Sequence, residues 1–326
     1  MKGFRWFVVR RLLQMFFTLF ILITILFFLF RVLPGDPLTM YVDAALPQEV
    51  QDIVKHQFGL DKPLGEQYLL YIRNLLHGEF GQSFHFRRPV VEIIGEKFWS
   101  TVLLMGASLV LTILLGVVGG ALLAWYRGSR FEIAGIGLTI LLRSAPVFWT
   151  GMLAVGLFAL KWKVFPLGGM NTPGQYFATP WQKFFSLDFL YHLILPALIA
   201  AANNVATPLL IMRSSMVEIL GEDFIEMARA KGIREMRILF KHAMRNALLP
   251  VVTVLALMIG FAIGGQVLVE TVFRWPGMGR EIVVAIQRND YPVAQAAFFF
   301  MGVLVISLNF ISDILYGYLD PRVTYD

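Results

Sequence analysis

Residues 221–250 read GEDFIEMARAKGIREMRILFKHAMRNALLP, a charged, helix-forming island between apolar runs that end at Met212 and resume at Ala247. Glu222, Asp223 and Glu226 fall in a first helical turn and Arg229 and Lys231 in a last, the order a helix dipole favours. Gly232 supplies the stop, because glycine takes the left-handed backbone that closes a helix. The stretch therefore predicts one short helix over 222–231 and a second over 233–246, joined as an elbow. Glu226 and Arg229 stand three apart on one face, worth about 0.3 kcal/mol, beside an apolar patch of Phe224, Ile225, Met227 and Ala228. A helix charged at both ends and greasy in the middle needs a surface: its own membrane domain, or another protein.

Composition fixes the class. In 326 residues, 57% are hydrophobic and only 15% charged, with mean hydropathy +0.68. A soluble domain carries about a quarter charged residues, so this is an all-α polytopic membrane protein. The net charge of +6 is spread over basic residues that flank apolar runs, which suits membrane orientation and leaves no nucleic-acid-binding stripe. Without cysteine, the chain has no disulfide, thiolate metal site or iron–sulfur ligation.

Taken in order, Lys2, Arg5, Arg10 and Arg11 lead into an apolar run, Leu12 to Phe30. That run spans about 28 Å, close to the hydrocarbon core, and exceeds a signal peptide's apolar region, so it reads as an uncleaved first helix. Residues 35–98 form an extracytoplasmic insertion, with one helix from Pro47 to Gly59 and another from Pro63 to Gly78. Tyr68, Leu69, Ile72, Leu75 and Leu76 give the second of these a face to bury. Val90 to Phe98 is an amphipathic lead-in to a second span, Trp99 to Tyr126, whose Gly116, Gly119 and Gly120 let another helix approach closely. Further spans are expected over 133–160, 190–212, 247–269 and 293–319, making six. Gly260-Phe261-Ala262-Ile263-Gly264 is a second close-approach motif. The domain division is 1–34, 35–98, a core of 99–319 holding the loop 213–246, and a tail of 320–326.

Two spans carry polar residues at membrane depth. Arg143 lies about 20 Å along the third span from Arg130, and an arginine there costs at least about 2.5 kcal/mol unless it faces water or a partner. It either marks a functional path or is tied to carbonyls freed by Pro146, or to Asp313. Ser144 and Pro146 follow, and Pro146 should bend the helix. The fourth span holds Asn203, Asn204 and Thr207, which read as lining a translocation path or as interhelical glue.

Counting Lys and Arg puts 14 on the proposed inside segments against 6 in the short outside loops, which favours both termini in the cytoplasm. The chain has no Gly-x-x-x-x-Gly-Lys-Ser/Thr run to cradle ATP and no Gly-x-Ser-x-Gly elbow. Its five histidines lack metal-site spacing. Nothing supports an enzyme, and the energy for any transport must come from elsewhere.

Ala228-Arg229-Ala230-Lys231-Gly232, with His242-Ala243-Met244-Arg245-Asn246-Ala247 and Leu249-Pro250, resembles the cytoplasmic coupling loop of binding-protein-dependent ABC importer permeases, in their dipeptide and oligopeptide branch. Arg10-Arg11-Leu12-Leu13-Gln14, Pro34-Gly35-Asp36-Pro37, Arg274 to Arg280 and Asp320-Pro321-Arg322 resemble that branch too. The chain departs from the wider superfamily's loop at Met227, where an alanine is usual, and in its longer spacing to Leu-Pro. The resemblance implies a type I ABC importer permease fold in the inner membrane, no cofactor on this chain, and ATP and Mg on partner subunits. It also implies a second permease, two ATPase subunits gripping Glu222, Asp223, Glu226, Ala228, Arg229, Ala230, Lys231 and Gly232, and an extracytoplasmic substrate-binding protein. The expected cargo is dipeptides or oligopeptides, with nickel, glutathione or another small solute as alternatives. An ion-coupled carrier built on Arg143 or a purely structural membrane protein fits the residues less well, because the spans offer no central carboxylate and the fourth is polar-lined.

Overall fold

The computed structural model describes residues 2–32, 47, 49, 62–177, 179, 181–261 and 266–319. The expected helix from Pro47 to Gly59, the Pro34 to Pro37 exit, most of the Gly260–Gly264 motif and the Asp320–Arg322 tail lie outside the described residues. What is described is helical, apart from turns, loops and one bridge pairing Gln82 with Pro89.

The chain divides into two compact units, Met1–Val102 with Pro276–Phe310 and Leu103–Trp275 with Ile311–Asp326. In the first, the Thr18 and Thr24 hydroxyls of α1 (Lys2–Val32) donate to the carbonyls of Gln14 and Phe20 at 2.9 and 2.8 Å. In hydrocarbon there is no water to do this. α2 (Leu64–Leu76) rests on α1 through Tyr68, whose ring meets Phe27 edge-on at 5.1 Å and whose hydroxyl lies 2.6 Å from Thr24 Oγ1. Tyr68, Ile72 and Leu75 are half-buried, as their spacing predicts, but Leu69 and Leu76 are 67% and 78% exposed. Those two stand seven apart on the flank, so the buried stripe follows the i, i+3/i+4, i+7 track through Tyr68, Tyr71 and Leu75.

The lead-in and the second span are one helix, α3 (Val90–Trp125), of 36 residues. The expected third span is sharply broken: α4 (Arg130–Ser144) and α5 (Val147–Ala154), the latter continued by a π-helical turn over Val155–Lys161, meet at 107°. Pro146 is the cause, because it cannot donate to the ladder and pushes Ala145 out to an extended backbone, φ −79° and ψ 134°. The fourth is also bent, by 56° at Val205, between α6 (Leu187–Asn204) and α7 (Ala206–Ile219). By length and apolarity three described helices can cross a bilayer, or five if each bent pair counts as one span.

The second unit packs α3 on α7 through the predicted glycine patch. A Cβ on Gly116 would sit 2.8 Å from the Pro208 ring, and one on Gly120 would meet the Leu209 carbonyl and Met212. On Gly119 the obstacle is the movable Leu209 Cδ1, at 3.2 Å.

Past the elbow, α8 (Asp223–Ala230) closes as expected at Gly232, φ +72°. The second arm does not stop at 246: α9 (Glu235–Arg237) runs through a π-helical turn, Ile238–Ala243, straight into α10 (Met244–Phe261). The region expected as an outer loop from Glu270 to Tyr291 is partly helix, with α11 (Gln266–Val272) and α12 (Met278–Gln287) preceding α13 (Tyr291–Leu319). Trp275 is fully buried there, against Phe189. Glycine at 168 is required by the same corner, since a Cβ would strike the Phe273 carbonyl, which accepts from Gly169 N at 2.9 Å.

Replacing Gly120 with alanine should cost about 1–3 kcal/mol, because rigid backbone must move, while Gly119→Ala should cost less than about 0.5 kcal/mol. Thermal unfolding of the detergent-purified protein checks the ranking.

Candidate functional site

Two features carry chemistry, and both belong to the second unit. The first is a cavity of about 460 Å³ whose polar wall is Ser108, Thr112, Arg143, Asn203, Asn204 and Thr207, closed by Leu109 and Met258. The breaks in the spans build it. Where α4 ends ahead of Pro146, the amide of Asn203 donates to the carbonyls of Leu142 and Ala145 at 3.4 and 3.2 Å. The freed carbonyls are therefore capped by a side chain of α6, and Arg143 is left for the cavity. Its Nη1 donates to Thr207 Oγ1 at 3.3 Å, a long contact, and the residue is exposed. Asn204 donates to the Ala200 carbonyl at 2.9 Å, and Thr112 to that of Ser108 at 2.8 Å.

The structure thus brings together Arg143, Asn203, Asn204 and Thr207. Ser144 and Pro146 do not line the cavity: the Ser144 hydroxyl turns back to the Ile140 carbonyl at 2.9 Å, and Pro146 opens the next helix. Ser108 and Thr112, four apart on α3, were missed, and their i, i+4 spacing in an otherwise apolar span was the available signal.

The second feature is the elbow. Ile225 and Ala228, three apart, are buried with Met212, Met216, Ile238 and Leu239 in one apolar cluster. Phe224 and Met227, one position earlier on the wheel, are 40% and 58% exposed, so the single apolar patch expected from the sequence is split between two faces. Glu222, Asp223, Glu226, Arg229, Ala230, Lys231 and Gly232 are all exposed. Arg229 pairs with Glu235 across the turn at 3.4 Å, in place of the expected partnership with Glu226.

Above the elbow an ion pair ties α4 to α7. Glu132, 5% exposed, accepts from Gly128 N at 2.6 Å, and from Arg213 Nε at 2.7 Å and Nη2. Ser129 Oγ accepts from Glu132 N at 3.2 Å, half of a Ser-x-x-Glu capping box whose glutamate has been taken by Arg213. The Ser129-Arg130-Phe131-Glu132 spacing is the sequence signal for this start of α4. Among the described residues no group of His, Cys, Asp and Glu could hold a metal ion.

With this geometry in view, comparison with known proteins identifies the family. A model of the inner membrane component of binding-protein-dependent transport systems matches residues 116–325, and a model of the N-terminal part of such components matches 4–105. The chain belongs to this family. The type I ABC permease fold and a multi-pass place in the inner membrane go with membership. Among its relatives, a Brucella suis protein named as a peptide permease is 39% identical over 92% of each chain. The dipeptide transport system permease protein DppB of Escherichia coli K12 is 37% identical, over 98% of each chain. The glutathione transport system permease protein GsiC of the same strain is 36% identical over 98% of this chain and 99% of its own. All are transport permease subunits, and this chain is an ABC importer permease subunit.

Arg213→Ala should leave the Glu132 carboxylate with only the Gly128 N–H and lower the melting temperature, whereas Arg229→Ala, at an exposed pair, should leave it nearly unchanged. Melting curves of the two variants beside the parent measure the gap.

Proposed function

We propose that this permease subunit forms half of a pathway for dipeptides or oligopeptides. A related second permease supplies the other half, two ATPase subunits drive it from the cytoplasm, and an extracytoplasmic binding protein delivers cargo. ATP and Mg are held on the ATPases, and this chain binds no cofactor. The names of the relatives support a peptide as cargo, and glutathione is itself a small peptide. The six-span arrangement with both termini cytoplasmic and residues 35–98 outside is part of the same reading, supported by the distribution of Lys and Arg.

The observation that carries coupling is the two-faced helix α8. Ile225 and Ala228 lock it to α7 and to the start of α10, while Phe224, Met227 and Glu226 stay on the open side. A partner that grips the open face moves the buried face with it. The fixed side therefore passes the motion to α7, which carries Thr207, and to α10, which carries Met258 at the cavity.

An exposed, partner-facing helix makes a clear prediction. Glu226→Arg should leave folding unchanged, because the side chain is exposed, yet lower uptake per ATP hydrolysed several-fold. Gly232→Pro, which forbids the φ of +72° and removes the N–H that donates to Arg229 O, should disturb the end of α8 and lower coupling more severely. Proteoliposomes holding the whole complex, assayed together for uptake and for phosphate release, provide the test. Normal coupling in both variants would remove α8 from the drive train.

A further inference from the structure

We infer that Arg143 is a binding residue for the free carboxylate of a zwitterionic peptide in transit, an inference that rests on the cavity being part of the pathway. The argument is an inventory of donors and acceptors. The amide hydrogens of Asn203 are committed to the Leu142 and Ala145 carbonyls and one of the two on Asn204 to the Ala200 carbonyl, and both side-chain oxygens remain as acceptors. The Thr112 hydroxyl donates to Ser108 O, which leaves its oxygen's lone pairs. Thr207 Oγ1 already accepts, from Arg143.

Arg143 is the exception. A guanidinium has five N–H donors, and one long contact to a hydroxyl uses a single one of them. Among the described residues lining the cavity it is the only charged group. The wall is therefore a positive fork beside neutral groups that offer mainly acceptors.

A ligand complementary to that wall carries a planar anion for the fork and N–H donors for the amide and hydroxyl oxygens. A peptide with a free C-terminus has both, in its carboxylate and in its ammonium and amide groups. Bidentate geometry favours a carboxylate on arginine over a point contact from lysine. A divalent cation is the opposite case: it would meet a like charge and no carboxylate among the described lining residues. The cavity, at about 460 Å³, falls within the range of small-molecule sites, roughly 300–1,000 Å³.

The test uses the complete permease–ATPase complex in nanodiscs, without binding protein, so that selection outside the membrane plays no part. Millimolar alanylalanine should raise the melting temperature more than alanylalanine amide does. Arg143→Gln should erase that preference by weakening the acid about tenfold, and Arg143→Lys should restore part of it. Equal stabilisation by acid and amide in the parent complex, or none by either, overturns the carboxylate contact. In parallel, peptide uptake is measured in proteoliposomes supplied with binding protein. Full uptake by Arg143→Gln overturns the pathway reading itself. Lost uptake in that variant, alongside equal binding of acid and amide, keeps the pathway and rejects the carboxylate site.

Discussion

A backbone carbonyl in hydrocarbon has no water to turn to, and each unmet one costs several kcal/mol. This constraint organises the second unit. Breaking the chain at Pro146 frees carbonyls at the end of α4, and the break is tolerable because Asn203 reaches across from α6 to Leu142 and Ala145. One side chain thereby ties two broken spans together. It also spares Arg143 from the role of cap. The polar cavity follows from how the broken backbone is satisfied.

Close approach is the second requirement. Lipid tails are as apolar as leucine, so helices in a membrane gain mainly by packing closely. Gly116 and Gly120 give α3 that contact with α7 at Pro208, Leu209 and Met212. Met212 then belongs to the same apolar cluster as Ile225 of the elbow. Contact is continuous from the glycine patch to the short helix α8, and Arg213 with Glu132 adds a charged tie beside it. Such a chain of packed parts moves as a piece, since interiors are close-packed and resist gradual deformation.

Much of this was legible in the residues. Gly232 announced its own turn, and Arg143, Asn203, Asn204 and Thr207 stood out because polar groups are expensive at that depth. What stayed hidden has physical reasons. Proline in a span signals a bend but not its size, and nothing at Pro146 itself announces 107° or the Asn203 amide that meets the freed Ala145 carbonyl. Ser108 and Thr112 are inconspicuous because hydroxyls can bond back to their own helix, which makes them cheap anywhere in a span. The two faces of α8 could be counted on a wheel, yet which one the core takes is settled by Met212 and Met216 of α7 together with Ile238 and Leu239 beyond the turn. The continuation of the second arm into α10 had no stop signal to contradict it. The return of hydrophobicity at 247 is no boundary, because helical hydrogen bonding runs on through it.

The length of α3 has a further consequence. Thirty-six residues of helix extend about 54 Å, against roughly 30 Å of oil in a bilayer. Upright, about 24 Å of it would stand clear of the lipid tails, and only a tilt of about 60° would submerge it all. Its first turns, with Glu92, Glu96 and Lys97, supply the polar surface that such an overhang needs.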